Sequence, residues 1–325
     1  MLDRKVDQTR GADGARLKYG LYLPNVGNFG RPGSLLGLAG TAWSHEWDGC
    51  FVWDHLVFGG EETADPQVTL GAMAQASRGW PKAASRASSN SFTIGALVTP
   101  VARRRAWKLA KEIATIASLI EHEPRAPELE LIWGFGLGVD VDYAVTGEPD
   151  LSLIECAEMT DNGIALVRQL LGGSVADFVP PALAVSLWSA MSWKAGVELK
   201  NCPFGPLWRA AGLDGVFPVP DPWPDPWDSA CEIGADQISQ LADRLDSIAN
   251  AATDCESGRT REIATCGRSS ELTKEEITER DKDLSAAGAT WWLEVVSPTD
   301  CPANVEQMVA KGPKLLGRGP GAAGA

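Results

Sequence analysis

Short apolar runs alternate along the chain with longer segments whose apolar residues recur at helical spacing. The runs are nearly continuous in aliphatic and aromatic residues, which is typical of parallel strands buried on both faces. Eight strands are predicted, over residues 17–24, 49–53, 92–98, 129–138, 185–193, 214–219, 262–266 and 289–296. Helices are predicted from about Ser34, whose hydroxyl is the expected N-cap, and over 66–78, 107–120, 151–171, 204–212, 236–252, 273–287 and 303–311.

Eight strand–helix repeats are the number that closes a (β/α)8 barrel. An open doubly wound sheet also alternates strands with helices, but the first strand is not followed by G-x-G-x-x-G. We therefore predict an α/β protein with one TIM-barrel domain over residues 17–313 and extended loops at its C-terminal face. Residues 1–16 and 314–325 are polar or rich in Gly and Ala, and are predicted to be flexible.

The net charge and the apolar pattern of the chain indicate which classes of partner to expect. The net charge of −14 argues against nucleic acid, because an acidic protein repels phosphate backbones. The single basic run, Arg103 to Arg105, is interpreted either as a solvated loop or as an anion contact. The chain lacks a signal-peptide pattern and any run of about 18 apolar residues, so we expect a cytoplasmic protein that does not bind membranes.

Neither a metal site nor a disulfide framework is predicted. The seven Cys are widely spaced with no C-x-x-C, and the chain has three His. Reduced thiols are therefore the expectation.

The loops that follow the strands should build the active site of such a barrel. His55 directly follows a strand and Asp54. An imidazole titrates near neutral pH and can give or take a proton, while Asp54 would hold the ring or contact a cofactor. The alternative is a surface histidine beside a helix-capping Asp. Asn25 ends the first strand, and the GFGLG turn at 134–138 either admits a flat ring close to the backbone or contains simple turn glycines.

Several strings, in order and spacing, resemble the luciferase-like flavin oxidoreductases. They are YGLYLPNVGNFGRPG, WDGCFVWDHLVFGG, ADPQVTLGAMAQAS, IGALVTPVARRRAWKLAKE, GFGLG, RAAGLDGVFPV and AGATWWLE. The likeness runs from about Lys18 to Pro313, and the strings are specific together although not singly. Two segments depart from the pattern, residues 79–90 and 120–131, and both lie on the side opposite the expected site.

The resemblance implies a (β/α)8 barrel with a flavin ring at its C-terminal mouth. It implies reduced FMN used with oxygen, or the deazaflavin coenzyme F420 used for hydride transfer, with Asp54 and His55 as catalytic residues. The ring pocket would include the end of the third strand, where relatives sometimes have a non-proline cis bond. The implied cofactor-binding residues are Asn25, Ala96, Leu97, Val98, Thr99, Gly134, Gly136 and Gly138 at the ring, and Gly267, Arg268 and Gly288 at the phosphate.

We therefore predict a flavin-dependent monooxygenase or oxidoreductase that acts on a small organic substrate. Its reduced flavin would come from a separate flavin reductase, and the barrel is expected to form a homodimer. The alternative is a non-catalytic barrel that binds a ligand or serves as a partner subunit.

Overall fold

Eight parallel strands, paired in chain order, close into a barrel, which confirms the predicted fold. The computed structural model describes residues 16–80, 91–120, 128–146, 151–181, 183–193, 197–198, 204–221, 223, 232–251, 261–270 and 272–316. The strands are β1 Lys18–Leu23, β2 Gly49–Val52, β3 Ser91–Pro100, β4 Glu128–Gly136, β5 Val185–Trp193, β6 Gly215–Pro220, β7 Glu262–Gly267 and β8 Trp291–Val295.

Helices follow the strands and cover the outside of the barrel. They are α1 Pro32–Ser44, α2 Pro66–Ala76, α3 Ala106–Ile120, α4 Asp140–Ala144, α5 Leu153–Leu171, α6 Phe204–Ala211, α7 Ala235–Ala251, α8 Lys274–Ala286 and α9 Pro302–Lys311. The short helix α4 lies in a segment predicted as loop.

Local sequence signals account for several helix starts. The first helix begins at Pro32, so the prediction of Ser34 as its N-cap is wrong. Proline is well suited to a first helical position, because its fixed φ is helical and it has no N–H to satisfy. Capping boxes begin α5 at Ser152 and α8 at Thr273, where each hydroxyl accepts from the amide three residues on.

Apolar side chains form two layers, as the alternation of strand residues requires. The outer layer lies between strands and helices and includes Trp43, Phe92 and Trp133. The inner layer fills the barrel with residues from every side, including Phe51, Trp188 and Trp291. A barrel filled in this way has no through-channel, so ligand chemistry is confined to its mouth.

The chain ends and the two divergent segments fall largely outside the described residues. Two residues of the segments predicted to be flexible form salt bridges: Arg16 pairs with Asp48, and Lys314 pairs with Glu46. Residues 81–90 and 121–127 of the divergent segments are outside the described ranges. Within those ranges, no helix combines the length and apolarity needed to cross a bilayer.

Candidate functional site

Asn25 fixes the loop that follows β2 at the C-terminal rim. Its fully buried amide donates to the carbonyls of His55 and Ala64, at 2.8 and 2.7 Å, and accepts from the His55 amide at 3.0 Å. Both of its N–H donors are thereby used. Asn25 therefore positions the backbone of His55, and its predicted contact with a cofactor stays a prediction.

Asp54 lies in a buried ion cluster with two arginines of the basic run. Nη2 of Arg104 donates to both carboxylate oxygens at 2.7 Å, and Nη2 of Arg103 lies 3.2 Å from Oδ1. Only 3% of the Asp54 side chain is exposed. Both carboxylate oxygens of Asp54 therefore already accept hydrogen bonds from these arginines, and its predicted contact with a cofactor stays a prediction.

Asp142, in α4, brings the same cluster to His55. Its Oδ2 lies 3.2 Å from Nδ1 of His55 and 3.1 Å from Nη1 of Arg103, although neither contact has hydrogen-bond alignment. Its Oδ1 accepts from the amides of Leu56 and Val57. The imidazole is thus held against a buried carboxylate while 28% of the His55 side chain stays exposed.

The charge state of Asp142 follows from these contacts. Burial raises the pKa of its carboxyl, but the His55 imidazole, the Leu56 amide and the Arg103 guanidinium outweigh burial and hold that pKa below its usual value. Asp142 is therefore an anion at neutral pH. An anion beside Nδ1 favours a proton on that nitrogen and leaves Nε2 for exchange with a ligand.

Aromatic rings in or just after β1, β2 and β6 form a cluster that reaches the histidine through Trp53. The ring of Trp53 lies 5.7 Å from that of His55, 5.3 Å from Tyr22 and 5.4 Å from Trp223, and Tyr22 also contacts Phe217 at 5.3 Å. Nε1 of Trp53 is buried and has no hydrogen-bond partner among the described residues. This mouth therefore combines flat apolar surfaces with an unsatisfied donor.

The predicted β3 residues divide between the two layers. The peptide bond between Leu97 and Val98 is cis, and the register with β4 shifts between Ala96 and Thr99. Leu97 and Val98 both pack in the barrel interior, whereas Ala96 belongs to the outer layer and the Thr99 hydroxyl accepts from Trp133. Of the four predicted residues, Leu97 and Val98 therefore line the barrel interior below the mouth.

The glycines of β4 accommodate side chains of β3. A Cβ on Gly134 would lie 2.2 Å from Leu97 Cδ2, and one on Gly136 would lie 2.4 Å from Val98 Cγ1. Gly138, with φ of +84°, similarly abuts Pro100. Side chains of β3 thus occupy the positions of the added Cβ atoms, and these glycines allow β3 and the end of β4 to pack closely together.

Replacement of Gly136 by alanine is expected to destabilise the fold by about 1–3 kcal/mol, because the added methyl overpacks against the stiff Val98 side chain. Urea unfolding followed by tryptophan fluorescence measures this change. Gly37→Ala is the matched control, since Gly37 is exposed in α1 with no atom within 4 Å of the added Cβ. Equal stability of the two variants would contradict the assignment.

Carboxylates of the chain occupy the predicted phosphate position at the end of β7. The Arg268 amide donates to Glu232 at 3.1 Å, and its guanidinium donates to both Asp300 oxygens at 3.0 and 2.9 Å. Gly267 lies beside Glu232. Gly288 precedes β8 and is therefore at the opposite end of the barrel, so the three predicted phosphate residues do not form one site.

Glu294 of β8, which pairs with Gly267 of β7, also accepts hydrogen bonds from neighbouring residues. Its oxygens accept from the amide and hydroxyl of Ser269 and from Nε1 of Trp292. Burial raises the pKa of its carboxyl above the ordinary value despite these hydrogen bonds.

Sequence reasoning missed Asp142 and the pairing of the basic run. The signal was weak, because the partners of Asp54 and of Leu56 lie about 50 and 86 residues away. The acids of VDVDYA immediately after GFGLG were the available clue, since they follow a strand end.

No protein-family model and no curated protein matches the sequence. Among solved structures, an F420-dependent secondary alcohol dehydrogenase in complex with an F420–acetone adduct is 16% identical, with 92% of this chain and 99% of that chain covered and a TM-score of 0.64. Monooxygenase RslO1 from Streptomyces bottropensis is 16% identical, with 90% and 96% covered and a TM-score of 0.59.

A third similar structure is the oxygenating constituent of 3,6-diketocamphane monooxygenase from Pseudomonas putida, in complex with FMN. It is 13% identical, with 91% of this chain and 96% of that chain covered and a TM-score of 0.58. The resemblance seen in the sequence is thus confirmed for the fold, since these oxidoreductases share the barrel over nine-tenths of the chain.

Proposed function

We propose that this protein is a flavin- or deazaflavin-dependent oxidoreductase in which His55 moves a proton between enzyme and substrate. The observation that carries the proposal is the imidazole at the mouth, held against buried Asp142 and beside the ring of Trp53. The barrel shared with an F420-dependent dehydrogenase and with two monooxygenases supports the same reaction class.

The ring end of the site fits a planar heterocycle with a polar edge. Tyr22, Trp53, Phe217 and Trp223 supply flat apolar surfaces, and the buried indole N–H of Trp53 supplies an unused donor. Bound in its reduced form, such a cofactor supplies a hydride or activates oxygen. We favour a reduced flavin used with oxygen, and hydride transfer with the deazaflavin is the second possibility.

The residues of the chain have separate roles in this proposal. Nε2 of His55 donates or accepts the substrate proton, while the Asp142 carboxylate beside Nδ1 favours the tautomer that carries its proton on Nδ1. Asn25 fixes the main chain at His55, and Asp54 with Arg103 and Arg104 holds the loops after β2 and β3 together. We also propose a small organic substrate, a separate reductase that supplies reduced flavin, and a homodimer.

Cofactor binding tests the proposal directly. We expect reduced FMN or the reduced deazaflavin coenzyme to quench the fluorescence of the tryptophans at the mouth in an anaerobic titration. The thirteen tryptophans of the chain give a strong signal. Failure of both cofactors to bind at high micromolar concentrations would contradict the proposed function.

A further inference from the structure

We propose that Glu232 is a specificity-determining residue that fills an anion position at the end of β7 and excludes the phosphate of a cofactor from it. The inference rests on the proposed function, because the phosphate belongs to the tail of FMN. The deazaflavin coenzyme, whose tail is polyanionic, would meet the same carboxylate.

The local geometry is that of an anion cradle with a carboxylate of the chain inside it. Oε1 of Glu232 accepts from the Arg268 amide at 3.1 Å. A Cβ on Gly267 would lie 2.4 Å from this oxygen and 2.3 Å from Cη2 of Trp292. A glycine that permits close approach, next to a donating backbone N–H, is how proteins receive phosphate oxygens. The loops after strands 7 and 8 of TIM barrels frequently bind phosphate in this way.

The neighbouring donors are also taken by carboxylates. Both carboxylate oxygens of Asp300 pair with the Arg268 guanidinium, and the Ser297 amide donates to Oδ2 of Asp300 at 2.8 Å. The Ser269 amide donates to Glu294 at 2.8 Å. Two backbone amides and one arginine that could bind a phosphate therefore already donate to carboxylates of the chain.

The approach to Glu232 is acidic as well. An open cleft of about 490 Å³ borders it and is lined by Glu198, Asp236 and Asp283 in addition to Glu232 itself. Neither lysine nor arginine lines this cleft within the described part of the chain. Because juxtaposed like charges cost several kcal/mol, a phosphate dianion is disfavoured here, whereas an uncharged ribityl tail is not.

A comparison of FMN with riboflavin isolates the phosphate, because the two flavins differ only there. We expect the wild-type protein to bind reduced riboflavin at least as tightly as reduced FMN in anaerobic titrations. We expect Glu232→Ala to bind FMN at least about tenfold more tightly than wild type, with riboflavin affinity unchanged. Glu232→Gln, which keeps the side-chain volume, should shift the FMN affinity in the same direction.

Glu128→Gln is the matched control, since it removes the same charge from an exposed residue at the opposite end of the barrel. It should leave the FMN-to-riboflavin ratio at the wild-type value. Far-UV circular dichroism verifies that each variant is folded. Preferential FMN binding by the wild type, or an unchanged ratio in the folded Glu232 variants, would overturn the inference.

A second experiment uses inorganic phosphate as the ligand and does not require flavin binding. We expect phosphate, at constant ionic strength, to raise the Tm of Glu232→Ala more than that of wild type or Glu128→Gln. Equal shifts in all three proteins would count against the anion cradle. If FMN, riboflavin and the deazaflavin coenzyme all fail to bind to the wild type and to every variant, the proposed function fails, and the phosphate result alone then decides whether Glu232 fills an anion position.

Discussion

Replacement of Asp54 by alanine is expected to lower the free energy of unfolding by about 3–5 kcal/mol, because it removes the carboxylate that binds Arg104 and one of the two carboxylates beside Arg103. The side chain of Arg103 is 7% exposed and that of Arg104 is 21% exposed, so water cannot fully replace the lost carboxylate. Urea unfolding monitored by tryptophan fluorescence measures the change.

Glu62→Ala is the control for this prediction. Glu62 pairs with Arg31, but both side chains are more than half exposed, and such surface pairs contribute about 0–1 kcal/mol. If the Asp54 and Glu62 variants lose equal stability, the cluster at the rim does not behave as a buried ion pair. Asp54→Asn should be intermediate, since the amide oxygen still accepts a hydrogen bond from Arg104.

Replacement of His55 by alanine is expected to reduce kcat about 10²- to 10⁴-fold, the usual contribution of a positioned acid or base. The fold should be preserved, since Asn25 contacts the main chain at this position and not the ring. Anaerobic and aerobic turnover of the reduced cofactor, with a panel of small ketones and secondary alcohols as probe substrates, measures the effect.

His45→Ala is the matched control for the His55 experiment. His45 follows α1, near the start of β2 and therefore at the rim opposite the mouth, where its Nδ1 lies 2.8 Å from the Thr41 carbonyl oxygen. Turnover should be unchanged in this variant. Full activity of a folded His55→Ala protein would contradict the role of His55 in proton transfer, whereas absence of turnover in the folded wild type would favour a non-catalytic barrel.

The barrel itself was predictable from the sequence because its strands are buried on both faces. Continuous apolar runs such as FTIGALV identify such strands without reference to their neighbours. The helix boundaries were predicted less well where a local rule competes, as at Pro32, whose preference for a first helical position overrides the capping tendency of Ser34.

The site was only partly predictable, because its chemistry depends on contacts between distant loops. His55 could be found from its position after a strand, but its partner Asp142 could not, since α4 is a single short turn of helix within a long loop. The glycines of β4 were open to two interpretations in the sequence. The structure adds that Leu97 and Val98 pack where Cβ atoms on Gly134 and Gly136 would lie.

The hydrogen bonds from Asn25 to the main chain make position 55 suitable for the design of new activities. The Asn25 amide bonds to the carbonyl and N–H of residue 55 and to Ala64, so these hydrogen bonds, which fix the path of the loop, do not involve the imidazole. We therefore expect that residue 55 can be replaced by residues with other reactive groups, such as a thiol or a phenol, while the loop keeps its conformation.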